Sequence, residues 1–345
     1  MIETKSLLNR LLAHEDLGAA EMAELIGSMM DGGLSEPVMA GFLVALRAKG
    51  ETSTEVAAAA GAMRARVKKV PVSGVDRAVD TCGTGGDGAD TVNISTAAAL
   101  VAAAAGVPVP KHGNRSVSSR CGSADVLESL GVALDLDNEQ LGALCDEVGI
   151  AFLFAPKLHP AMKAVMPARR ALGVRTVFNL LGPLTNPAGV RRQVVGVWGR
   201  EVQDLVAEAL AELGAHHAVV VHSDDGLDEV SVFAPTRVVE VREGKAVKEW
   251  RADPVQLGVR QFDPASLRGG DVSHNARRLS EILDGGERSA ASEAVALNAG
   301  AALYVGGVAE DLVEGLQKAR EILHSGTALT ILKRLAARST EMSDG

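Results

Sequence analysis

Hydrophobic positions in the first 70 residues recur at the spacing of α-helices. The first helical pattern is carried by the leucines Leu7, Leu8, Leu11 and Leu12. Ser35 followed by Pro37 is typical of a helix start, with proline inside the first turn. Thr52 with Glu55 fits a capping box that opens a further helix. We therefore predict that residues 1–71 form an all-helical domain.

Beyond residue 71 the pattern changes, because short apolar runs alternate with helical segments. The runs that we predict as strands lie near residues 78–81, 107–111, 150–154, 193–197, 218–222, 229–233 and 237–241. Such alternation is typical of a mostly parallel sheet with helices on both faces. Residues 160–190 return to helical signals around a glycine- and proline-rich loop. The pattern predicts an α/β fold in which residues 72–345 form the larger α/β domain.

Composition and charge narrow the class of protein. Hydrophobic residues make up 47% of the chain and charged residues 23%, so we expect a packed globular core. A net charge of -9 and an aromatic content of 3% argue against a nucleic-acid partner. The cysteines Cys82, Cys121 and Cys145 are scattered and odd in number, which argues against disulfides and a zinc site. With no apolar signal core or spanning segment, we expect a cytoplasmic protein and no membrane contact.

A glycine-rich segment follows the first predicted strand. Gly83, Gly85 and Gly88 match the dinucleotide fingerprint G-x-G-x-x-G. The acid that the fingerprint needs is missing, because no Asp or Glu occurs between Thr91 and Ala124. No P-loop lysine follows either. Two alternatives remain for this segment. It is either an ordinary tight turn before a capped helix, or an anion site. In an anion site, backbone amides and the side chains of Asn93, Ser95 and Thr96 would donate hydrogen bonds to the anion.

The same acid-free stretch concentrates positive charge after the second predicted strand. It contains Lys111, His112, Arg115 and Arg120. Ligands of open α/β sheets bind beyond the carboxyl ends of strands, and Lys and Arg bond strongly to phosphate oxygens. The glycine and the serines between them add donors. This segment therefore indicates a polyphosphate site, the alternative being a solvated basic loop.

An acidic segment, residues 222–229, follows a later strand. Its last two residues are the carboxylates Asp228 and Glu229. Carboxylates on a loop suit Mg²⁺, which is commonly shared between protein and substrate phosphates. Taken alone, an exposed acidic turn is the better interpretation. Together, the glycine, basic and acidic segments describe a site for a magnesium-bound polyphosphate.

These residues closely resemble the anthranilate phosphoribosyltransferase family. The matching motifs are Gly83-Thr84-Gly85-Gly86-Asp87, Asn93-Ile94-Ser95-Thr96, Lys111-His112-Gly113-Asn114-Arg115, Gly122-Ser123-Ala124-Asp125, His159-Pro160-Ala161-Met162, Met166-Pro167-Ala168-Arg169-Arg170, Asn179-Leu180-Leu181-Gly182-Pro183-Leu184-Thr185-Asn186-Pro187 and Asp225-Gly226-Leu227-Asp228-Glu229. They span most of the chain in the family's order.

The resemblance implies a nucleoside phosphorylase/phosphoribosyltransferase-like fold whose helical domain also takes in residues 160–190. It implies a homodimer through the helical domains and dependence on Mg²⁺. The implied reaction joins the amine of anthranilate to the ribose of phosphoribosyl pyrophosphate (PRPP), the second step of tryptophan biosynthesis from chorismate. Pyrophosphate is the other product.

The resemblance also implies roles for single residues. Contacts with PRPP are implied for Gly83, Gly86, Asp87, Thr91, Asn93, Ile94, Ser95, Thr96, Lys111, His112, Gly113, Asn114, Arg115, Ser116, Val117, Ser118, Ser119 and Ser123. Magnesium would be held by Ser95, Asp228 and Glu229. Anthranilate would meet Gly83, Asn114 and Arg169, and its channel would be lined by His112, His159 and Pro183.

The chemistry of this reaction needs no strong general base, because an aromatic amine is neutral at pH 7. We therefore assign none, and expect Lys111 and magnesium to stabilise the leaving group. The guanidinium of Arg169 could bind the anthranilate carboxylate through two parallel hydrogen bonds. Alternatively, Arg169 could be a surface arginine at a helix end. His112 and His159, taken singly, are more often structural than catalytic.

Two alternative functions share the predicted architecture. A pyrimidine nucleoside phosphorylase would use orthophosphate and a nucleoside, but the phosphate-loop motif of that family is absent from this sequence. A non-catalytic nucleic-acid-binding relative would conflict with the acidic charge and with the intact basic and acidic motifs.

Overall fold

The computed structural model describes residues 3–116, 120–286 and 288–344. The predicted site residues Val117, Ser118 and Ser119 lie outside this part of the chain. All other predicted site residues lie within it.

The amino-terminal block is helical, as predicted. It contains α1 (Thr4–Leu12), α2 (Ala19–Met30), α3 (Glu36–Lys49) and α4 (Ser53–Arg64). Helix α3 carries proline in its first turn. The capping box of α4 is confirmed, because the Glu55 amide donates to Thr52 Oγ1 at 3.2 Å and the Thr52 amide to Glu55 Oε2 at 2.9 Å. These caps satisfy amides that the first helical turn leaves without partners.

The sheet is mostly parallel with an antiparallel edge. Its strands are β1 (Val79–Asp80), β2 (Val109–Gly113), β3 (Ile150–Phe154), β4 (Arg192–Gly196), β5 (His217–Ser223), β6 (Thr236–Arg242) and β7 (Lys245–Ala252). Five strands run in the order β1-β4-β5-β6-β7, with β1, β4 and β5 parallel and β6 and β7 antiparallel. Strands β2 and β3 form a parallel pair. The Val79 amide donates to the Pro108 carbonyl at 2.9 Å, which joins this pair to β1.

One strand prediction was wrong, and one strand was not predicted. Residues 229–233 form a loop, because the Asn298 side chain accepts from the Val230 amide at 2.9 Å and donates to its carbonyl at 3.0 Å. The Asn298 side chain thus makes the hydrogen bonds to Val230 that a neighbouring strand would otherwise provide. Strand β7 was not predicted; it pairs with β6 across a tight turn at Glu243 and Gly244, both of which have positive φ.

The remaining helices cover the sheet. They are α5 (Ile94–Ala104), α6 (Ser123–Ser129), α7 (Asn138–Val148), α8 (Ala155–Leu158), α9 (Met166–Leu172), α10 (Phe178–Leu184), α11 (Arg200–Glu212), α12 (Val272–Leu283), α13 (Ala290–Val305), α14 (Leu312–His324) and α15 (Thr327–Asp344). Within the described residues, no helix has the length and apolar character needed to cross a bilayer.

Helices α9 and α10 return to the amino-terminal block. One hydrophobic cluster contains residues of α1–α4, α9, α10 and α11 together with one face of β4 and β5. A second cluster contains α5, α13 and the other face of the sheet. The Arg64 side chain, at the end of α4, donates to the Leu184 carbonyl at 2.6 Å. The segment that carries Arg169 and Pro183, two of the residues predicted to meet anthranilate, is thereby fixed to the helical block.

Candidate active site

The predicted segments meet at the carboxyl ends of β1, β2, β4 and β5. The glycine loop follows β1, the basic segment continues β2, and the acidic segment follows β5. In an open sheet this edge is the usual place for a ligand. The structure therefore brings together three segments that span more than 100 residues of the sequence.

The glycine loop lies directly against the end of β4. The Thr84 amide donates to the Gly196 carbonyl at 2.8 Å. A Cβ at Gly83 would lie 2.8 Å from that same oxygen, and one at Gly196 would lie 1.5 Å from the Asp228 carbonyl. Only glycines allow three backbone segments to approach so closely. Sequence reasoning missed Gly196, and its only signal was a glycine at a strand end.

Lys111 is buried at the start of the basic segment. Only 2% of its surface is exposed, and Nζ donates to Thr81 Oγ1 at 3.1 Å and to the Thr81 carbonyl at 3.4 Å. Burial raises the pKa of neighbouring Asp80 to about 6, with the positive charge of Lys111 acting in the opposite direction. Asp80 accepts from Asn186 Nδ2 at 2.7 Å and from the His112 amide at 3.2 Å. Lys111 is thus held inside the protein with its ammonium group at the site.

Asp228 and Glu229 lie beside the glycine loop, close to Asp87 within it. Burial raises the pKa of Glu229 to about 8, partly offset by Lys111 and reinforced by Asp87. Burial, followed by the charges of Glu229 and Asp87, raises the pKa of Asp228 well above its ordinary range. The Asp228 amide donates to Asp87 Oδ2 at 3.4 Å. Mutual repulsion of this kind is relieved by a bound cation.

The donor set fits magnesium better than a metal held by protein alone. Among the described residues, no three His, Cys, Asp or Glu side chains are placed to hold an ion together. Mg²⁺ usually binds through one or two carboxylates and completes its shell with phosphates and water. Asp228 and Glu229 supply the two carboxylates. The backbone of Ser95 acts against the rise in the pKa of Glu229, so this serine lies close to the same carboxylate.

The predicted helix-start residues do not all face the site. Ile94 is 2% exposed and packs in the core, so only its backbone is available to a ligand. Asn93 Nδ2 donates to the Cys121 carbonyl at 3.2 Å, and its Oδ1 accepts from Asn275 at 2.9 Å. Thr96 Oγ1 is buried and has no hydrogen-bond partner within the described residues. Thr91 forms an isolated bridge with Arg268.

The basic loop after Lys111 packs tightly on α6. A Cβ at Gly113 would lie 2.5 Å from Ser123 Oγ, which itself donates to the Asn114 carbonyl at 3.2 Å. Arg115 bonds to Asp125 at 2.9 Å and to Glu128 at 2.7 Å. The Ser116 amide also donates to Asp125 Oδ2, at 3.1 Å. Arg115 is therefore ion-paired in this conformation of the loop.

The two predicted channel histidines touch each other, and their hydrogen bonds define the tautomer of each ring. His112 Nδ1 lies 3.0 Å from the Gly182 carbonyl, which can only accept, so Nδ1 carries the proton. His112 Nε2 then accepts from His159 Nε2 at 3.1 Å. Burial lowers the pKa of His112 to about 3 and of His159 to about 4, so both rings are neutral. His159 Nδ1 is consequently a buried acceptor without a partner in the described residues.

Arg169 lies on α9 with little to neutralise it. Its guanidinium is 5.6 Å from the centroid of Phe178, and its one hydrogen-bond contact in the described residues is Met166 Sδ at 4.0 Å. Burial lowers the pKa of Arg169. Pro183 is buried nearby on α10, and its carbonyl accepts from Gln193 at 2.5 Å. A desolvated arginine without a carboxylate is suited to an anionic ligand.

Comparisons with known proteins define the class. A model of the helical bundle domain of a glycosyl transferase family matches residues 5–67, and a model of that family's a/b domain matches residues 75–329. The fold and the site therefore define a glycosyl transferase of this two-part class.

Individual relatives define the family. Anthranilate phosphoribosyltransferase of Desulfatibacillum aliphaticivorans is 49% identical over 97% of this chain and 98% of its own. The crystal structure of that enzyme from Thermus thermophilus is 45% identical, with a TM-score of 0.91, over 96% of this chain and 99% of that one. The Saccharomyces cerevisiae enzyme in complex with PRPP and Mg is 28% identical, with a TM-score of 0.88, over 98% of each chain. This chain belongs to the anthranilate phosphoribosyltransferase family.

Proposed function

We propose that this chain transfers the phosphoribosyl group of PRPP to the amine of anthranilate, the second step of tryptophan biosynthesis from chorismate. The observation that carries this proposal is the convergence of buried Lys111, the glycine loop and the carboxylates of Asp228 and Glu229 at one edge of the sheet. Such a site offers donors and a cation to a polyphosphate. Family membership supplies the substrates.

The PRPP site comprises the glycine loop, the start of α5 and the basic loop. We assign to it Gly83, Gly86, Asp87, Thr91, Asn93, Ile94, Ser95, Thr96, Lys111, His112, Gly113, Asn114, Arg115, Ser116 and Ser123, and the predicted residues Val117, Ser118 and Ser119. Because the side chains of Asn93 and Ile94 are engaged elsewhere, these two contribute through their backbone. Arg115 would exchange its carboxylate partners for phosphate.

Ser95, Asp228 and Glu229 would hold Mg²⁺, which would supply positive charge to stabilise pyrophosphate as the leaving group. Lys111 stabilises the same leaving group from inside the protein. Since its Nζ is already oriented by Thr81, little reorganisation is needed when charge develops.

Anthranilate occupies the side of the site formed by α9 and α10. Arg169 binds its carboxylate, Gly83 and Asn114 contact it, and His112, His159 and Pro183 line the channel. Among the described residues no carboxylate pairs with Arg169, which supports this assignment. Both histidines are neutral, so they do not compete with Arg169 for the carboxylate.

The reaction exchanges one bond at the anomeric carbon. The bond from that carbon to the pyrophosphate oxygen breaks, and its electron pair leaves with pyrophosphate. The amine nitrogen forms the new C–N bond and releases one proton to solvent. Positioning and leaving-group stabilisation provide the catalysis, and no general base is assigned.

Assembly, domain division and location extend this proposal. The exposed side chains of Leu12 (65%) on α1 and Val44 (46%) on α3 support a homodimer formed through the helical domain. A division into residues 1–71, with about 160–190, and 72–345 is supported by family matches that end at 67 and resume at 75. Three free thiols support a cytoplasmic location.

The test follows anthranilate fluorescence with PRPP, with and without Mg²⁺. We expect a fall in fluorescence that requires both. A folded protein that leaves anthranilate unchanged would contradict the proposal. Phosphorolysis of a pyrimidine nucleoside, or salt-dependent DNA binding without turnover, would then identify one of the alternative functions.

A further inference from the structure

An arginine outside the predicted site contacts the apex of the glycine loop. Arg175 Nη2 donates to the Gly86 carbonyl at 2.5 Å, and its Cζ lies 4.6 Å from the ring centroid of Trp198. Trp198 follows β4 by two residues. The arginine is thus held between a fixed aromatic face and the loop.

The loop has little else to fix its apex. Gly85 and Gly86 have φ of +66° and +87°, conformations that glycine adopts freely but at a high entropic cost of ordering. Its base is fixed by the contact between Thr84 and the Gly196 carbonyl. Apart from the contact at Asp87, Arg175 supplies the one hydrogen bond from another segment to the apex among the described residues.

The position of Arg175 is itself defined by helix ends. Gly173 ends α9 in the left-handed region, with φ of +63°. The Thr176 amide then donates to Asn179 Oδ1 at 3.0 Å at the start of α10. The short segment between α9 and α10 therefore carries Arg175, whose side chain reaches the Gly86 carbonyl. It links the side of the site proposed for anthranilate to the side proposed for PRPP.

We propose that Arg175 is a positioning residue that pre-organises the glycine loop for PRPP, with Trp198 as its platform. This inference rests on the proposed function. A planar guanidinium can stack on the indole and donate sideways to a carbonyl at once, which a lysine ammonium cannot do. The positive charge of residue 175 is therefore insufficient by itself, because the two contacts require the planar geometry of a guanidinium.

Kinetics of R175K and R175Q separate geometry from charge. Both variants should raise the KM for PRPP about tenfold, the usual effect of losing one charge-assisted hydrogen bond, with the KM for anthranilate and the kcat little changed. The melting temperature should stay near that of the parent, since Arg175 is exposed. R277Q, which changes an exposed arginine of α12 that pairs with Glu281, is the control.

Trp198 gives a second readout that does not depend on turnover. The chain has two tryptophans, so W250F leaves Trp198 as the reporter. Addition of PRPP with Mg²⁺ should change its emission in W250F but not in W250F/R175K.

Normal PRPP kinetics in R175K would overturn the proposal, because positive charge alone would then suffice. An equal rise in both KM values would also overturn it. If calorimetry shows that the parent protein does not bind PRPP, the proposed function fails together with this inference. If the parent binds PRPP while Trp198 emission stays constant, only the inference fails.

Discussion

At the scale of single residues, the site holds carboxylates of like charge close together. Glu229 lies beside Asp228 and Asp87, and burial raises its pKa to about 8. Such an arrangement opposes folding in the absence of a ligand, since an ionised carboxylate is partly removed from water beside like charges. This loss of folding stability is consistent with a function in binding a cation. Substitution of Glu229 should therefore raise stability and lower activity.

We predict that E229Q is more stable than the parent at pH 8 without Mg²⁺, yet about 100-fold lower in kcat/KM. The pKa of Glu229 in the folded chain exceeds the ordinary value of 4.5, so the unfolded chain loses its proton first as pH rises. Parental stability therefore falls between about pH 4.5 and pH 8, and glutamine removes that fall. Thermal unfolding across this range and steady-state kinetics check both parts.

The control for this prediction is D224N in the same loop. Asp224 is exposed and pairs with Arg251, so the substitution removes equal charge without touching the site. We expect near-parental activity. A less stable E229Q with unchanged turnover would show that Glu229 is structural.

Gly196 permits a second residue-scale prediction. In G196A the new methyl would overlap the Asp228 carbonyl, 1.5 Å away, and displace the acidic loop. We expect a loss of about 1–3 kcal/mol in unfolding free energy and a weaker apparent affinity for Mg²⁺ in activity titrations. Chemical denaturation and Mg²⁺ titration are the measurements.

Gly61 is the matched control, because a Cβ there meets nothing within 4 Å and the residue lies inside α4. G61A should be neutral or about 0.5–1 kcal/mol stabilising. Parental Mg²⁺ dependence in G196A would contradict the close packing of the two loops.

At the scale of elements, β6 carries a polar cluster away from the site. Glu240 is 3% exposed and accepts four hydrogen bonds. The donors, at 2.6–3.0 Å, are His217, Arg242, Trp250 and Tyr304. Burial lowers the pKa of His217, and its hydrogen bond with Glu240 acts in the opposite direction. The cluster fixes β5, β6, β7 and α13 to one another at the antiparallel edge.

This cluster predicts acid sensitivity. Burial alone would raise the pKa of Glu240, but the hydrogen bonds lower it to about 2. Its stabilisation is therefore present above the ordinary value of 4.5 and is lost as pH falls toward 2, an effect of about 3 kcal/mol. E240Q should be less stable at pH 7 by a similar amount and should lose this part of the pH dependence.

Denaturant unfolding at several pH values between about 2.5 and 7 tests the assignment. E341Q, which removes an exposed acid paired with Arg338 on α15, should change stability by less than about 0.5 kcal/mol. Equal losses of stability in E240Q and E341Q would mean that the cluster around Glu240 contributes no more to stability than an exposed ion pair.

At the scale of the whole molecule, two hydrophobic clusters meet at the sheet. One of them joins the helical block to α9, α10, α11 and one sheet face. The helical part is therefore not an independent attachment, because its core continues into the larger part. Its exposed apolar residues Leu12 and Val44 lie outside this continuous core.

We predict that L12D/V44D is monomeric and that the parent is a dimer. Two charges placed on an apolar contact would be desolvated without partners, which opposes association. Size-exclusion chromatography with light scattering measures the mass. V255D alters a valine that is 81% exposed on the other part of the chain and should leave the mass unchanged. A monomeric parent would contradict the proposed dimer.

The sequence by itself determined the elements whose signals are local. Helical periodicity, the Thr52–Glu55 capping box and apolar runs such as 150–154 depend on neighbours a few residues apart, and the structure confirms them. The glycine, basic and acidic segments also carry local signals of charge and turn chemistry. Together they predicted one site for a magnesium-bound polyphosphate, and the motifs shared with a family supplied its substrates.

Only the tertiary structure decided contacts between distant segments. The loop at 229–233 depends on Asn298, which is 68 residues from Val230. The need for glycine at 196 depends on Asp228, and the role inferred for Arg175 depends on a carbonyl 89 residues away. Which backbone group meets which side chain is set by packing of the whole chain, because loop closure leaves no periodic trace in the sequence.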